Sequence, residues 1–495
     1  MSPSALKPTA RSPSLARIGL TVMAVLASAA AAWWVVLNGD RSNFELVALP
    51  TANRTLNQLT AVVLTCMALI VPLTSNLYSP KLVKLYVTHP LIVAGLAVLV
   101  GSNLLIMPTV FLPATDNWGR SMEFVVSFSF FLILLATLPF LYAISRFLRP
   151  SYFLRLLTER GYQQFRRLQH QQQAQDSVRK LFDAVDVVTN IAMTGMNRGD
   201  RQLVLMALNA LHRLLCGVIE HHQSSDQGWR SAHACFVPGL AREGRNLLRQ
   251  ERIWPEAYVL AQMLKVMEVA NKRQHEILGE LADQLVDSAR LAFEHRLDHI
   301  VELHVMALNT LLRESIEERD LRRFQNVSYH FRELLELFVS QPERLQRDAR
   351  HLLHYGRLAQ RLNLEFGLET VIYDLAELLV GVARRDPAQA TKLLDGASGE
   401  AIRHALAAQG GLQRIGWRGL IYMYWECRAA GLDDIARGIE MRFLNDPHEH
   451  KAQIARALGE NRALHFEFND RLVRFAHFSA EAERLAHAFG SEGKP

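Results

Sequence analysis

The chain divides into two parts according to how its hydrophobic residues are spaced. Before residue 148, long hydrophobic runs alternate with short polar segments. After it, hydrophobic residues recur every three or four positions, with arginine, glutamate and histidine between them. Such spacing is typical of helices that bury one face, and no convincing strand pattern accompanies it. The sequence therefore predicts an all-α protein, with a membrane-spanning region followed by a soluble helical domain.

Four of the early runs are long enough to cross a lipid bilayer, whose hydrocarbon core requires about 20 apolar residues in a helix. They contain no charged residue or histidine away from their ends, which argues against a proton-relay transporter. We predict a four-helix transmembrane domain over residues 18–148, preceded by a disordered basic N-terminus over 1–17. The four runs cover residues 18–37, 56–77, 90–112 and 124–147.

Basic residues in the loops indicate how these helices are oriented, because short loops rich in lysine and arginine tend to stay in the cytoplasm. The segment 78–89 carries Lys81 and Lys84 without an acidic residue, and a run of arginines follows the fourth span. In the other two loops, basic residues are offset by acidic ones. The pattern predicts a multi-pass protein of the cell inner membrane with both termini in the cytoplasm.

An alternative is that residues 1–30 form a cleaved signal peptide, since the small residues of "LASAAAA" suit a cleavage site. The first apolar run continues past that point for a full span, which favours a retained helix. Under either interpretation, Lys81, Lys84 and everything after Arg146 lie in the cytoplasm.

A connector over residues 149–175 joins the spans to the soluble domain and combines basic with aromatic residues. One interpretation is a helix that lies in the cytoplasmic interface, where each basic side chain gains about 1 kcal/mol from anionic headgroups. The other is a helix that holds the soluble domain at a fixed angle. The basic residues concerned are Arg149, Arg155, Arg160, Arg166 and Arg167.

The remainder, residues 176–490, is predicted to be a cytoplasmic α-helical domain, followed by a disordered tail over 491–495. Residues 197–219 align without gaps to residues 317–339, so that Asp200 matches Asp320. Asp386 and Asp433 stand in similar turns, and each of these aspartates is expected to cap the next helix. Helix pairs of this kind bury their apolar faces by stacking, which favours a solenoid-like repeat domain over a compact bundle.

Charge and cysteine content limit which functions the sequence predicts. The formal net charge is +6, yet the soluble domain has no compact basic stripe with interleaved aromatic residues, so nucleic-acid binding is not predicted. The cysteines are scattered and read as reduced thiols, with neither disulfide nor zinc-site spacing. They are Cys66, Cys216, Cys235 and Cys427.

The stretch "EHRLDHIVELH" is the best candidate for a metal site. On one continuous helix, His295 and His299 would share a face one turn apart, a spacing that chelates Zn²⁺, with Glu302 beside them. The alternative is a set of polar residues on a solvated face. No nucleotide-binding loop, nucleophile elbow or catalytic cysteine setting occurs, so the sequence predicts no cofactor and gives no support to an enzymatic activity; a metal-dependent enzyme is left open as a third hypothesis.

The segment "TSNLYSPKLVKLYVTHP", residues 74–90, resembles a segment of an uncharacterised bacterial family of predicted membrane proteins with a domain of unknown function. In that family a polar segment, Ser-Pro, a basic residue and leucine separate two spans. Residues 192–215 are similar in position to its Ala-Leu stretch, but the family's Ser-Pro-Gly with Asn-Asp-Pro is missing here. The resemblance implies the same membrane topology and no particular activity.

Together these patterns predict an integral cytoplasmic-membrane protein that presents a helical-repeat, protein-binding domain to the cytoplasm. The expected partners are anionic lipid headgroups and a protein bound to the helical domain, with homo-oligomerisation left open. The alternative function is an oligomeric channel or transporter gated by the helical domain.

Overall fold

A computed structural model describes residues 49–77, 149–169, 174–222, 240–273, 277–444 and 478–491, with single residues or pairs elsewhere. Every regular element within these ranges is helical, which confirms the predicted all-α class for this part of the chain. The chain separates into two compact units, Met1–Phe153 and Leu154–Pro495.

In the first unit, one long helix is described throughout, α1 (Leu49–Leu77). It has 29 residues, about 43 Å at 1.5 Å per residue, and it contains the whole of the second predicted span. Val62, Leu64 and Leu69 on this helix are 44–59 % exposed, whereas Val63 is buried. The first predicted span, most of the third and fourth, and the segment with Lys81 and Lys84 lie outside the described residues, so the four-helix anchor stays a prediction.

The second unit is entered through α2 (Pro150–Gln169) and contains the remaining helices. In chain order they are α3 (Ala174–Arg198), α4 (Arg201–Glu220), α5 (Arg242–Gln250), α6 (Trp254–Arg273), α7 (Leu278–Glu294), α8 (Asp298–Glu317), α9 (Leu321–Leu335), the 3₁₀ turn Glu336–Ser340, α10 (Pro342–Arg361), α11 (Glu365–Ala383), α12 (Pro387–Asp395), α13 (Ala397–Leu406), α14 (Gly411–Ala429), α15 (Asp433–Phe443) and α16 (Ala480–Ser491).

Consecutive helices of this unit pack as pairs, and each pair contacts the pairs before and after it. The pairs are α3 with α4, α6 with α7, α8 with α9, α10 with α11, and α13 with α14. The second members form one row of contacts, α4 to α7 to α9 to α11 to α14, and the first members form another, α3 to α6 to α8 to α10 to α13. Each helix therefore buries its apolar side on its own pair and on a neighbouring pair.

The same tight turn occurs six times between these helices. In each turn one residue has φ between 54° and 72°, and the N–H of the next residue donates to the carbonyl five residues earlier at 2.8–3.1 Å. This is the Schellman arrangement, which satisfies carbonyls left open at the end of a helix. The residues of positive φ are Gly199, Arg252, Arg296, Arg319, Asn363 and Gly431. Only two are glycines and their spacing is irregular, so the repeat is far clearer in the backbone than in the sequence.

Three of the four predicted aspartate caps are confirmed. Asp200, Asp320 and Asp386 each precede a helix and accept hydrogen bonds from backbone N–H groups of its first turn at 3.0–3.2 Å. The cap predicted for Asp433 is wrong, because α15 begins at Asp433 itself and its side chain pairs with Arg428 at 2.7 Å. The turn places Leu432 at the capping position, and leucine has no side-chain acceptor.

The matched caps Asp200 and Asp320 differ in one respect, because Asp320 also pairs with an arginine. Mutation should separate helix capping from this ion pair. Asp200→Ala is expected to cost about 1 kcal/mol of unfolding free energy, and Asp200→Asn close to nothing, because asparagine caps equally well. Asp320→Ala should cost about 1 kcal/mol more, because Asp320 also pairs at 3.1 Å with Arg323, whose side chain is 2 % exposed and would then keep only Glu318, at 3.0 Å. Asp320→Asn should keep the cap and lose only the pair. Chemical denaturation followed by circular dichroism measures all four; equal losses for Asp200→Ala and Asp320→Ala would contradict the assignment.

Within the described residues, one helix is long and apolar enough to cross a membrane by length and composition, α4 (Arg201–Glu220). Its most apolar window is 61 % buried inside the protein, since α4 packs on α3, α6 and α7. That apolar composition is accounted for by the core of the helical unit, and it is weak evidence of membrane association.

Candidate functional site

The structure places the predicted metal ligands His295 and His299 on different sides of a turn. α7 ends at Glu294, His295 follows it as the helix cap, and α8 begins at Asp298. Arg296 between them has φ 59°, which ends the first helix in a Schellman turn. The single continuous helix assumed for these histidines is therefore wrong, and their spacing of four residues does not stack them on one face.

His299 and Glu302 do lie together, at an open cavity of about 590 Å³ that His295 does not line. The cavity already contains its own counter-charges. Arg344 Nη1 lies 3.4 Å from Asp298 Oδ1, and Arg347 Nη2 lies 4.0 Å from Glu302 Oε1. A cation here would have to compete with two guanidinium groups, so metal binding by His295, His299 and Glu302 stays a prediction. The cavity is lined by Asp298, His299, Glu302, Gln341, Pro342, Glu343, Arg344 and Arg347.

A second group of potential metal ligands, which the sequence analysis missed, lies where α7 packs on α9. One ligand atom each from Asp283, His330 and Glu333 falls within 4.8 Å of the others. His330 and Glu333 are three residues apart on α9 and so share a face, and Asp283 comes from α7. The two helices approach closely at Gly279, where an added Cβ would lie 2.8 Å from Asn326 Nδ2.

His330 is the most buried member of this group, at 6 % exposure. Its Nδ1 lies 3.3 Å from Glu333 Oε2 and has no hydrogen-bond partner of good geometry among the described residues. The ring packs edge-on against Tyr329 at 5.1 Å between centroids. Asp283 is exposed. The group thus joins one accessible carboxylate to a sheltered imidazole and carboxylate.

Burial has the largest influence on the pKa values of the two carboxyl groups of this site, and neighbouring charges modify it. Burial, together with the charge of Asp287, raises the pKa of Asp283 above its ordinary value, against the influence of His330. Burial acts to raise the pKa of Glu333 as well, but His330, Tyr329 and Arg332 together lower it. Glu333 is thereby held as the anion beside the imidazole.

The group is part of a longer line of acidic side chains, which we name the acidic strip. Asp283 is within electrostatic reach of Glu280, Asp287 and Glu333, and Glu336 is within reach of Glu333 and Glu377. At the other end of the line, Cys216 on α4 lies within electrostatic reach of both Glu220 and Asp287. Burial raises the pKa of Glu336; Arg332 and Arg385 oppose the rise, and the charges of Glu333 and Glu377 add to it more weakly. The strip consists of Glu220, Glu280, Asp283, Asp287, Glu333, Glu336 and Glu377.

A buried histidine lies in the core beside this region. His304 on α8 has no exposed surface; its Nδ1 is 2.7 Å from the carbonyl of Ile300, and its Nε2 is 2.8 Å from Ser288 Oγ. Because a carbonyl only accepts, Nδ1 carries the proton and Ser288 donates to Nε2. Burial lowers the pKa of His304 to about 4, so the ring is neutral at physiological pH.

The connector helix α2 uses one face to pack on the helical unit. Leu157 and Gly161 are buried, an added Cβ at Gly161 would meet Leu214 on α4 at 2.6 Å, and Tyr162 donates a hydrogen bond to the carbonyl of Arg213 at 2.8 Å. Burial, followed by the charge of Glu220, raises the pKa of Tyr162 to about 12. This packing makes α2, from Leu154 onward, part of the helical unit.

The contact with lipid headgroups predicted for the basic residues of the connector stays a prediction. Arg149 is exposed, and Arg155 is half-exposed and pairs with Glu159 at 2.8 Å along the same helix. Arg160 is partly exposed. The side chains of Arg166 and Arg167 lie outside the described residues.

Sequence reasoning missed the group at Asp283 because His330 and Glu333 lie 47 and 50 positions after Asp283 in the chain. The pattern His330-x-x-Glu333 was the one local signal, and such pairs are common on helices. Pairing that pattern with Asp283 requires knowing that α7 and α9 are neighbours.

When the chain is compared with family models, curated proteins and solved structures, none of them matches.

Proposed function

We propose that this protein is a membrane-anchored helical-repeat adaptor, which holds a partner protein at the cytoplasmic surface through the acidic strip. The observation that carries the proposal is the ordered stacking of helix pairs, which lines up carboxylates from four consecutive elements of one row. The partner is expected to present a basic segment.

The stacked pairs support the first part of this proposal. Among the described helices, the main contacts of each pair are with the pairs next to it along the row from α4 to α14, as expected for a solenoid-like array. Arrays of this kind provide extended binding surfaces, because residues at equivalent positions of successive repeats lie side by side. The acidic strip follows that row across α4, α7, α9 and α11.

The charge of the strip supports the second part. The whole chain carries a formal net charge of +6, yet the carboxylate of Asp287 lies close enough to Asp283 to add to the rise that burial causes in the pKa of Asp283. Arg290, Arg385 and Arg332 already pair with Asp287, Glu336 and Glu377 at 3.2–3.7 Å. A basic partner would add to this neutralisation and would meet the exposed carboxylates of Glu280 and Asp283. Complementary charge of this kind mainly speeds association and selects the partner, and its effect falls as salt is added.

The membrane part of the proposal is supported by the sequence and by α1. The four apolar runs have the length of spans, and their flanking lysines and arginines favour cytoplasmic termini. α1 contains the second run as one uninterrupted helix with apolar side chains on its surface. We propose that the arginines following the fourth run contact anionic headgroups, and that the anchor keeps the helical unit near the membrane.

Charge reversal on the strip tests the proposed docking surface. The full-length protein is purified from its own membranes in mild detergent, and co-purifying proteins are quantified by mass spectrometry. The test variant carries Glu280→Lys and Asp287→Lys; the matched control carries Glu243→Lys and Glu268→Lys, exposed positions on α5 and α6 with the same change in net charge. A partner recovered with wild type and control is expected to fall at least tenfold with the strip variant. Binding of the purified partner should then weaken as salt is raised from 50 to 500 mM.

The control decides what the result means. Equal recovery of every partner with the two variants would overturn the strip as the docking surface. Loss of the partner with both variants would show that total charge, not the strip, governs binding. Circular dichroism of both variants confirms that each remains helical.

A further inference from the structure

We propose that Asp283, His330 and Glu333 form a binding site for a divalent transition-metal ion, with Zn²⁺ as the representative ion. The site lies between α7 and α9 and is separate from the cavity at His299. It rests on the geometry of these three side chains and does not depend on the proposed partner.

The spacing of the ligand atoms suits one ion after a small movement. Zn²⁺ binds nitrogen and carboxylate oxygen at about 2.0–2.2 Å, so two ligands on one ion lie about 3–3.5 Å apart in tetrahedral geometry. His330 Nδ1 and Glu333 Oε2 are already 3.3 Å apart. The three ligand atoms fall within 4.8 Å, so the remaining adjustment of about 1 Å falls to Asp283, whose exposed side chain is free to change rotamer.

The unsatisfied imidazole nitrogen is the second observation that points to an ion. His330 is more than nine-tenths buried, and its Nδ1 has no hydrogen bond among the described residues. The contact with Glu333 alone leaves the hydrogen-bonding capacity of this buried nitrogen unfilled. Coordination of an ion by Nδ1 would satisfy that atom, and the Glu333 anion beside it would supply part of the charge that the ion needs.

The surroundings hold these ligands in place and attract a cation. Asn326 closes against Gly279 beside the site, so α7 and α9 are in tight contact there. Glu280 and Asp287 add negative charge within electrostatic reach of Asp283. One imidazole with two carboxylates suits Zn²⁺, Mn²⁺ or Fe²⁺ better than Ca²⁺ or Mg²⁺, which prefer oxygen ligands alone. Three protein ligands leave at least one position for water.

Titration of the full-length protein with zinc tests the site. The protein in detergent is stripped with a chelator, dialysed and titrated with ZnCl₂ by isothermal calorimetry at pH 7.5. We expect one equivalent to bind with micromolar affinity, and we expect Asp283→Asn and His330→Ala each to weaken that binding at least tenfold. The matched control, His299→Ala, removes the histidine of the other candidate group and is expected to leave binding unchanged. Zinc at 100 times its Kd should raise the folded-to-unfolded ratio about 100-fold in the wild type, seen as a higher Tm.

Each outcome of this titration decides the proposal. Absence of zinc binding to the wild type overturns it. Binding that survives Asp283→Asn and His330→Ala but is lost in His299→Ala also overturns it, and assigns zinc to the cavity instead. Asp283→Asn guards against misfolding, because Asp283 is exposed and its replacement should not disturb the core. Since no partner is present in the titration, its result is independent of the charge-reversal experiment.

Discussion

Replacing Phe331 by alanine is expected to lower the free energy of unfolding of the helical unit by about 3–5 kcal/mol. Phe331 has no exposed surface and lies in α9, which packs on α7, α8 and α11 in the middle of the array. Its ring meets the ring of His351 edge-on, with 6.2 Å between centroids. Removing it leaves a cavity that helices fixed on several sides cannot close. Chemical denaturation of the full-length protein, followed by circular dichroism, measures the loss.

A control variant on the neighbouring helix shows whether the loss of stability in Phe331→Ala is due to the burial of its side chain. Met306 on α8 is 54 % exposed, so Met306→Ala should change the free energy of unfolding by less than about 0.5 kcal/mol. Because each pair is stabilised mainly by its neighbours, Phe331→Ala is also expected to broaden the transition or to split it in two. If Phe331→Ala and Met306→Ala have the same effect, the packing around α9 described above is wrong.

Acidification is expected to destabilise the protein through His304. A histidine in the unfolded chain has a pKa of 6.5, whereas burial lowers the pKa of His304 to about 4 in the folded protein. Between these values the unfolded chain takes up a proton that the folded chain does not, so unfolding is favoured as the pH falls. At about 1.4 kcal/mol for each pKa unit, this residue alone removes about 3 kcal/mol between pH 7 and pH 4.

A variant without the imidazole isolates this contribution from other titrating groups. In His304→Leu the Ser288 hydroxyl still lies 3.0 Å from the carbonyl of Gln284, so it keeps a hydrogen-bond acceptor. Burial lowers the pKa of His212 as well, and that contribution is common to both proteins. The free energy of unfolding, measured by denaturation at intervals from pH 7.5 to pH 4.5, should therefore fall more steeply for the wild type than for His304→Leu. Met306→Ala retains His304 and should follow the wild type; parallel curves for wild type and His304→Leu would contradict the burial of an unprotonated ring.

The proposed zinc site and the acidic strip share residues, which links the two proposals physically. A bound divalent ion would offset two of the strip's negative charges, beside Glu280 and Asp287. If both proposals hold, zinc should weaken the binding of a basic partner, and chelation should strengthen it. Each proposal still has its own separate test.

The helical class could be predicted because it depends on local spacing. Apolar residues at intervals of three and four specify helices whatever they pack against, and Asp200 and Asp320 mark helix starts by a hydrogen bond within the same turn. Asp433 shows the limit of this reasoning, since the Schellman turn at Gly431 moved the capping position to Leu432. Arg296 shows the same limit. It has a positive φ of 59° and ends α7 at a point where the sequence pattern predicted that the helix would continue.

The sequence by itself thus determined the helical character of the chain, its division into apolar runs and an amphipathic domain, and three helix caps, because each follows from residues a few positions apart. Only the tertiary structure decided which helices are neighbours. It separated His295 from His299 at a turn, and it brought Asp283 to His330 and Glu333 across the contact of α7 with α9. The physical reason is that many helix pairings bury similar apolar area, so the choice among them depends on how specific side chains fit. The sequence pattern records which face of a helix is apolar, and it does not record which partner covers that face.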